Sequence, residues 1–98
     1  MNMQAMLKQA QKMQKDMQKT QDEINNTEFT GKSELVLVKM MGDRNVKEIK
    51  ITADELEKDD IEVLEDMILI AVNDALKQID KVTEEKMGAY TKGMPGLF

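Results

Sequence analysis

Four lysines in the stretch MLKQAQKMQKDMQK, Lys8, Lys12, Lys15 and Lys19, recur at steps of four, three and four residues. On an α-helix, at 100° per residue, that spacing gathers them within about 60° of arc, so four ammonium groups form one row. Such a row can contact successive phosphates along a nucleic-acid backbone. The amides of Gln4, Gln11 and Gln18 flank it and add hydrogen bonds that tolerate any base sequence. The same pattern is also the ordinary solvated face of a coiled coil, and spacing alone leaves both readings open. Lys77 and Lys81, one turn apart on a later helical stretch, are candidates to assist the row.

Other chemistries find little to work with. The chain has no Cys and no His, which removes disulfides, thiol nucleophiles, imidazole bases and His- or Cys-ligated zinc. No nucleophile–base pair or phosphate loop is recognisable, so neither an enzyme nor a cofactor is expected. The acidic stretch DELEKDDIEVLED lacks the central Gly and alternating ligand spacing of a calcium loop, and its acids precede helix starts, where they oppose the positive end of the dipole. No metal is expected there. Asn73 and Asp74 form a polar pair beside an apolar run; a catalytic remnant is one reading, and a hydrogen-bonding pair that fixes register at an interface is the other.

The net charge of −5 is unevenly spread. Residues 1–21 carry four lysines against Asp16, or +3, whereas 53–66 carry eight acids against Lys58, or −7. A partner touching only the first segment meets a basic surface. The longest apolar run, Met67 to Val72, falls far short of the roughly 20 residues that span a bilayer, and no basic region followed by an apolar stretch opens the chain. The expected compartment is the cytoplasm, with no membrane partner.

The elements that must position these residues follow from periodicity. Met3, Met6, Ala10, Met13, Met17, Thr20 and Ile24 alternate steps of three and four, a heptad seam opposite the lysines, in a helix of about 23 residues ending at Asn25-Asn26. At 1.5 Å per residue it is roughly 35 Å long, too long for one small domain to cover. The seam, Met6, Met13 and Met17 above all, therefore calls for a second helix, either in a homodimer or in a partner gripped by a Met-rich groove.

TEFTGKS, ELVLVKMM and VKEIKIT read as three antiparallel strands, with GDRN as a turn. Leu35 and Leu37 point one way and Val36, Val38 and Met40 the other, so both faces are apolar, which again argues for an oligomer. Thr52 to Glu55 has capping-box form and predicts a short helix at ADELE. A long helix follows from Ile61 to about Met87, buried all round at Met67–Val72, and Gly88–Phe98 reads as a flexible tail after a single domain at 1–87. The fold class is α+β.

In order, LKQAQKMQKDMQK, FTGKS, VKEIKI, EDMILIAVNDA and EEKMGAYTKGMPG resemble the YbaB/EbfC family of bacterial nucleoid-associated proteins over nearly the whole chain. The resemblance implies a tweezer-like homodimer with helices projecting from a central sheet, duplex DNA as partner, the nucleoid as location and no catalysed reaction. Two junctions depart from the family's pattern, Lys32-Ser33-Glu34 before the second strand and Thr52-Ala53-Asp54 after the third. Both concern turns more than the helical arms.

Overall fold

The computed structural model describes residues 2–92. Helix α1 spans Met3–Asn25, strands β1, β2 and β3 span Glu28–Lys32, Val36–Met41 and Val46–Ile51, and helix α2 spans Asp60–Lys92. The three strands form one antiparallel sheet in the order β1-β2-β3. An α+β chain with a long first helix, a three-stranded sheet and a long last helix is thus what the sequence leads one to expect.

Helix α1 starts where Asn2 caps it, its side chain accepting the Gln4 N–H at 3.0 Å. It ends at Asn26, beyond which the Gly42 N–H donates to the Thr27 carbonyl at 2.9 Å and ties the root of the helix to the sheet. Ile24 is fully buried at that root. From residue 2 to residue 12, by contrast, every side chain is exposed. The molecule is accordingly elongated, 71 × 23 × 13 Å, with a radius of gyration of 19.6 Å where a compact chain of this length has about 13 Å.

Register sorts the sheet into two faces. Phe29 pairs with Met40, Gly31 with Val38, Val38 with Ile49 and Val36 with Ile51, so these residues share the face on which α2 lies. Phe29, Val36, Val38 and Met40 are buried there against Ala71, Ala75 and Ile79. Small residues make the approach possible: at Gly31 the strand runs so close to α2 that a Cβ would stand 2.9 Å from the Ala75 Cβ. β3 is not covered. All six of its residues are exposed, including Val46, Ile49 and Ile51.

Two sequence-based expectations need correction. The short helix at ADELE is absent, because Thr52 is used otherwise: its N–H and its hydroxyl both donate to the Leu35 carbonyl, at 2.9 and 3.1 Å, extending sheet pairing instead of capping a helix. The chain is irregular until Asp60, whose carboxylate accepts the Glu57 N–H at 2.9 Å. The centre of α2 is not buried all round either, since Leu69 and Ile70 are 60% and 52% exposed in the single chain. The sheet is too narrow to wrap the helix, and one side of α2 is left bare.

Helix α2 also runs past its expected end at Met87, through Gly88 to Lys92. The segment read as a flexible tail from Gly88 therefore begins as helix, and residues 93–98 lie outside those described.

Candidate nucleic-acid interface

Lys8, Lys12, Lys15 and Lys19 are all exposed along α1. Thr20 and Ile24 settle which way the helix faces. The Thr20 hydroxyl shares a 3.0 Å hydrogen bond with the Tyr90 hydroxyl of α2, and Ile24 is buried at the sheet. Seam positions thus turn inward, and the lysines, about 160° around the helix from them, turn outward. Burial along the seam grows toward the root: Met6 is exposed, Met13, Met17 and Thr20 are half-buried, and Ile24 is buried. Part of the helix partner that the seam demands is therefore α2 of the same chain.

The ion pairs among the described residues are Lys39–Glu48 at 3.4 Å, Arg44–Asp80 at 2.7 Å and Lys47–Glu28 at 3.1 Å, and none includes a lysine of the row. The row is nonetheless graded. Lys15 or Lys19 lies within about a turn of each of Asp16, Asp22 and Glu23, while of the two lysines nearer the tip Lys12 has only Asp16 about a turn away and Lys8 has no acid so near along the helix. Uncompensated lysines therefore lie toward the free end of the arm.

The acidic segment is kept away from this arm. It follows Ile51, which pairs with Val36, whereas α1 joins the sheet at the other end, by Thr27 and Gly42. The six residues of β2 between those ends span about 17–20 Å, roughly two Debye lengths at physiological salt. Self-repulsion of a bound polyanion by residues 53–66 is screened accordingly.

Lys77 and Lys81 do not converge with the row. They are exposed on the side of α2 turned away from Ala71, Ala75 and Ile79, whereas α1 bonds α2 farther along, at Tyr90. Lys77 instead shares an open cleft with Lys32, Ile70, Asn73 and Asp74. Periodicity could not reveal the nearness of Lys32, because it comes from the crossing of α2 over β1.

The same crossing explains Asp74. Its carboxylate accepts the Lys32 N–H at 2.9 Å, and Gln78 donates both to the Thr30 carbonyl at 2.8 Å and to Asp74 at 3.3 Å. Thirty and thirty-two are the positions of β1 whose backbone groups point away from β2, so two side chains of α2 occupy the outer edge of the sheet. Asn73 is exposed in the cleft. Leu37, on the opposite face from Val36, is half-buried, whereas Leu35 precedes β2 and packs against the cluster of Val36, Val38 and Ala71 instead of sharing a strand face with Leu37.

Among the described residues there is no cluster of three His, Cys, Asp or Glu able to hold a metal, and no helix long and apolar enough to cross a membrane.

A family model described as the YbaB/EbfC DNA-binding family matches residues 1–94. A protein of Lactococcus lactis subsp. cremoris named nucleoid-associated protein is 57% identical over 97 residues, covering 97% of this chain and 98% of its own length. A protein of the same name from Ligilactobacillus salivarius is 48% identical over 99 residues, covering 99% of this chain and 95% of its own. Another, from Streptococcus thermophilus, is 48% identical over 97 residues, covering 97% and 98%.

Proposed function

The chain belongs to the YbaB/EbfC DNA-binding family, and from that premise we propose that it is a nucleoid-associated protein of the bacterial cytoplasm that binds duplex DNA with little sequence preference. It acts as a homodimer, and the outer faces of the two projecting α1 helices meet the phosphates. The observation that carries this reading is the row Lys8, Lys12, Lys15 and Lys19, exposed and free of ion pairs on an arm that stands clear of the sheet. Ammonium groups at successive turns suit a repeating charge, and none of them presents the planar fork that reads a base edge with two bonds. That chemistry supports a low sequence preference. The bare apolar residues of β3 and α2 support the homodimer, since patches of this kind on a single chain mark a surface that another chain covers. No catalytic role is proposed.

A second reading draws on Met3, Met6 and Leu7, which are 81%, 55% and 64% exposed at the arm's tip. They could grip a helix of a protein partner while the lysines only solubilise. Titration of unrelated short duplexes at several salt concentrations separates the two. The DNA reading expects similar affinities for all duplexes and a steep fall with salt, with a log–log slope approaching about −7 if eight lysines of a dimer each meet a phosphate. Absence of binding at low salt overturns it.

A further inference from the structure

The arm carries its positive charge on one narrow face. Helix α1 has no cation except Lys8, Lys12, Lys15 and Lys19, all exposed within about 60° of arc. The flanks of that face are acidic or neutral. Asp16 and Glu23 lie about 50–70° to one side of the row's centre, and Asp22 lies about 50° to the other, the side that also carries Gln4, Gln11 and Gln18. All six are exposed, and the Gln18 amide donates to Asp22 at 3.1 Å. These flanks decide how the helix can meet a duplex. An α-helix about 10–12 Å across fills the major groove of B-DNA, about 12 Å wide, so a groove-seated helix has a phosphate backbone along each flank. Here one wall would run past Asp16 and Glu23 and the other past Asp22, like charges facing each other on both sides. The minor groove, about 6 Å wide, excludes the helix by size. What is left is the outside of the duplex, with the lysine face laid on one backbone and both flanks turned to solvent.

We propose that α1 docks on a single phosphate backbone from outside the grooves, and that double-stranded RNA is therefore a ligand of this chain alongside duplex DNA. The inference rests on the reading of the lysine row as a phosphate contact and widens its ligand class. RNA duplexes are A-form, with a major groove too deep and narrow for side chains to read, so a helix that must enter that groove discriminates against them. A helix that touches one backbone meets no such barrier. From Lys8 to Lys19 the row runs about 16–17 Å along the axis, short enough to follow a few phosphates of one strand in either form. The row does not select the sugar either. A lysine is a compact charge with donors and no acceptor, so the row holds no group to receive the 2′-hydroxyl proton, a contact by which a protein tells RNA from DNA.

Fluorescence anisotropy of one duplex sequence, made once as DNA and once as RNA, tests this with the full chain at several salt concentrations. The two affinities should agree within about fivefold at each salt, with matching log–log slopes. Changing Lys8, Lys12, Lys15 and Lys19 to Gln should lower both affinities by the same factor, because one row serves both ligands. A second probe, which needs no variant, is DNA whose cytosines carry glucosylated 5-hydroxymethyl groups that fill the major groove. It should bind as unmodified DNA does, within about twofold, and a larger loss overturns docking from outside. RNA bound more than about fivefold weaker than DNA, or RNA binding that survives the quadruple variant while DNA binding falls, overturns the inference and leaves the DNA reading intact. Failure to bind either duplex at low salt overturns the DNA reading itself and this inference with it.

Discussion

Gly31 of β1 and Ala75 of α2 meet backbone to backbone: a Cβ on Gly31 would stand 2.7 Å from the Ala75 nitrogen and 2.9 Å from its Cβ, and closer still to the Ala71 carbonyl oxygen. The obstacles are mostly backbone, which cannot rotate aside. Gly31→Ala should therefore force α2 off the sheet and cost about 1–3 kcal/mol or more, read as a lower urea midpoint with little change in slope. A variant as stable as the parent would show that the helix stands farther from the strand.

Asp74 supplies the second prediction. Removing its carboxylate with Asp74→Ala leaves the Lys32 N–H and the Gln78 amide short of a partner, and should cost about 0.5–1.5 kcal/mol. Asp74→Asn keeps an acceptor and should cost less. Light scattering gives a separate readout: an uncovered β1 edge should raise concentration-dependent aggregation in the Ala variant more than in the Asn variant. Equal behaviour of the two would assign the effect to something other than edge covering.

What was legible in the sequence is local, and what was not is tertiary. The heptad seam and the lysine spacing define α1 because both depend only on residues three and four apart, and the alternation in Val36–Met41 defines a central strand for the same reason. The ADELE helix fails where a distant group competes: the Leu35 carbonyl, 17 residues away, accepts from both the Thr52 N–H and its hydroxyl and holds that residue in sheet pairing. Gly88 looks like a stop signal, yet α2 continues through it toward Tyr90, whose hydroxyl bonds Thr20 seventy residues away in sequence. Likewise the polarity of Asn73-Asp74 was plain, but its use at the edge of β1 depends on a crossing that no periodicity encodes. Of the candidate binding residues, the α1 row was readable as a unit, while the separation of Lys77 and Lys81 from it required knowing which face of α2 meets the sheet.

The Thr20–Tyr90 bond joins the two helices beyond the sheet, so it contributes to how firmly the arm is held. Tyr90→Phe removes one hydroxyl without changing the ring and should cost about 0.5–1.5 kcal/mol. The local effect should exceed the global one, with faster amide exchange over residues 13–20 and unchanged protection in β2. Thr20→Val should do the same, and the double variant should be no worse than either single one. Additive losses would mean that the two hydroxyls act separately.

The lysine row can be tested against the other exposed pair in the same protein. Changing Lys8, Lys12, Lys15 and Lys19 to Gln keeps helix propensity nearly constant and leaves the inward seam untouched, so the fold and its association state should survive. If the row meets phosphates, affinity should fall by a similar factor for unrelated duplexes at matched salt, and the salt slope should become shallower by up to about 7 for a dimer. The paired variant Lys77→Gln with Lys81→Gln removes cations from the opposite side of the helix pair. It should change the slope far less if DNA lies along α1 alone, and by up to about 3.6 if the duplex also touches α2. Position along the arm gives a finer check: Asp16, Asp22 and Glu23 lie within about a turn of Lys15 or Lys19, so losing Lys8 and Lys12 should weaken binding more than losing the inner two. An unchanged affinity and slope in the quadruple variant would reduce the row to a solvated face and move the binding surface to α2.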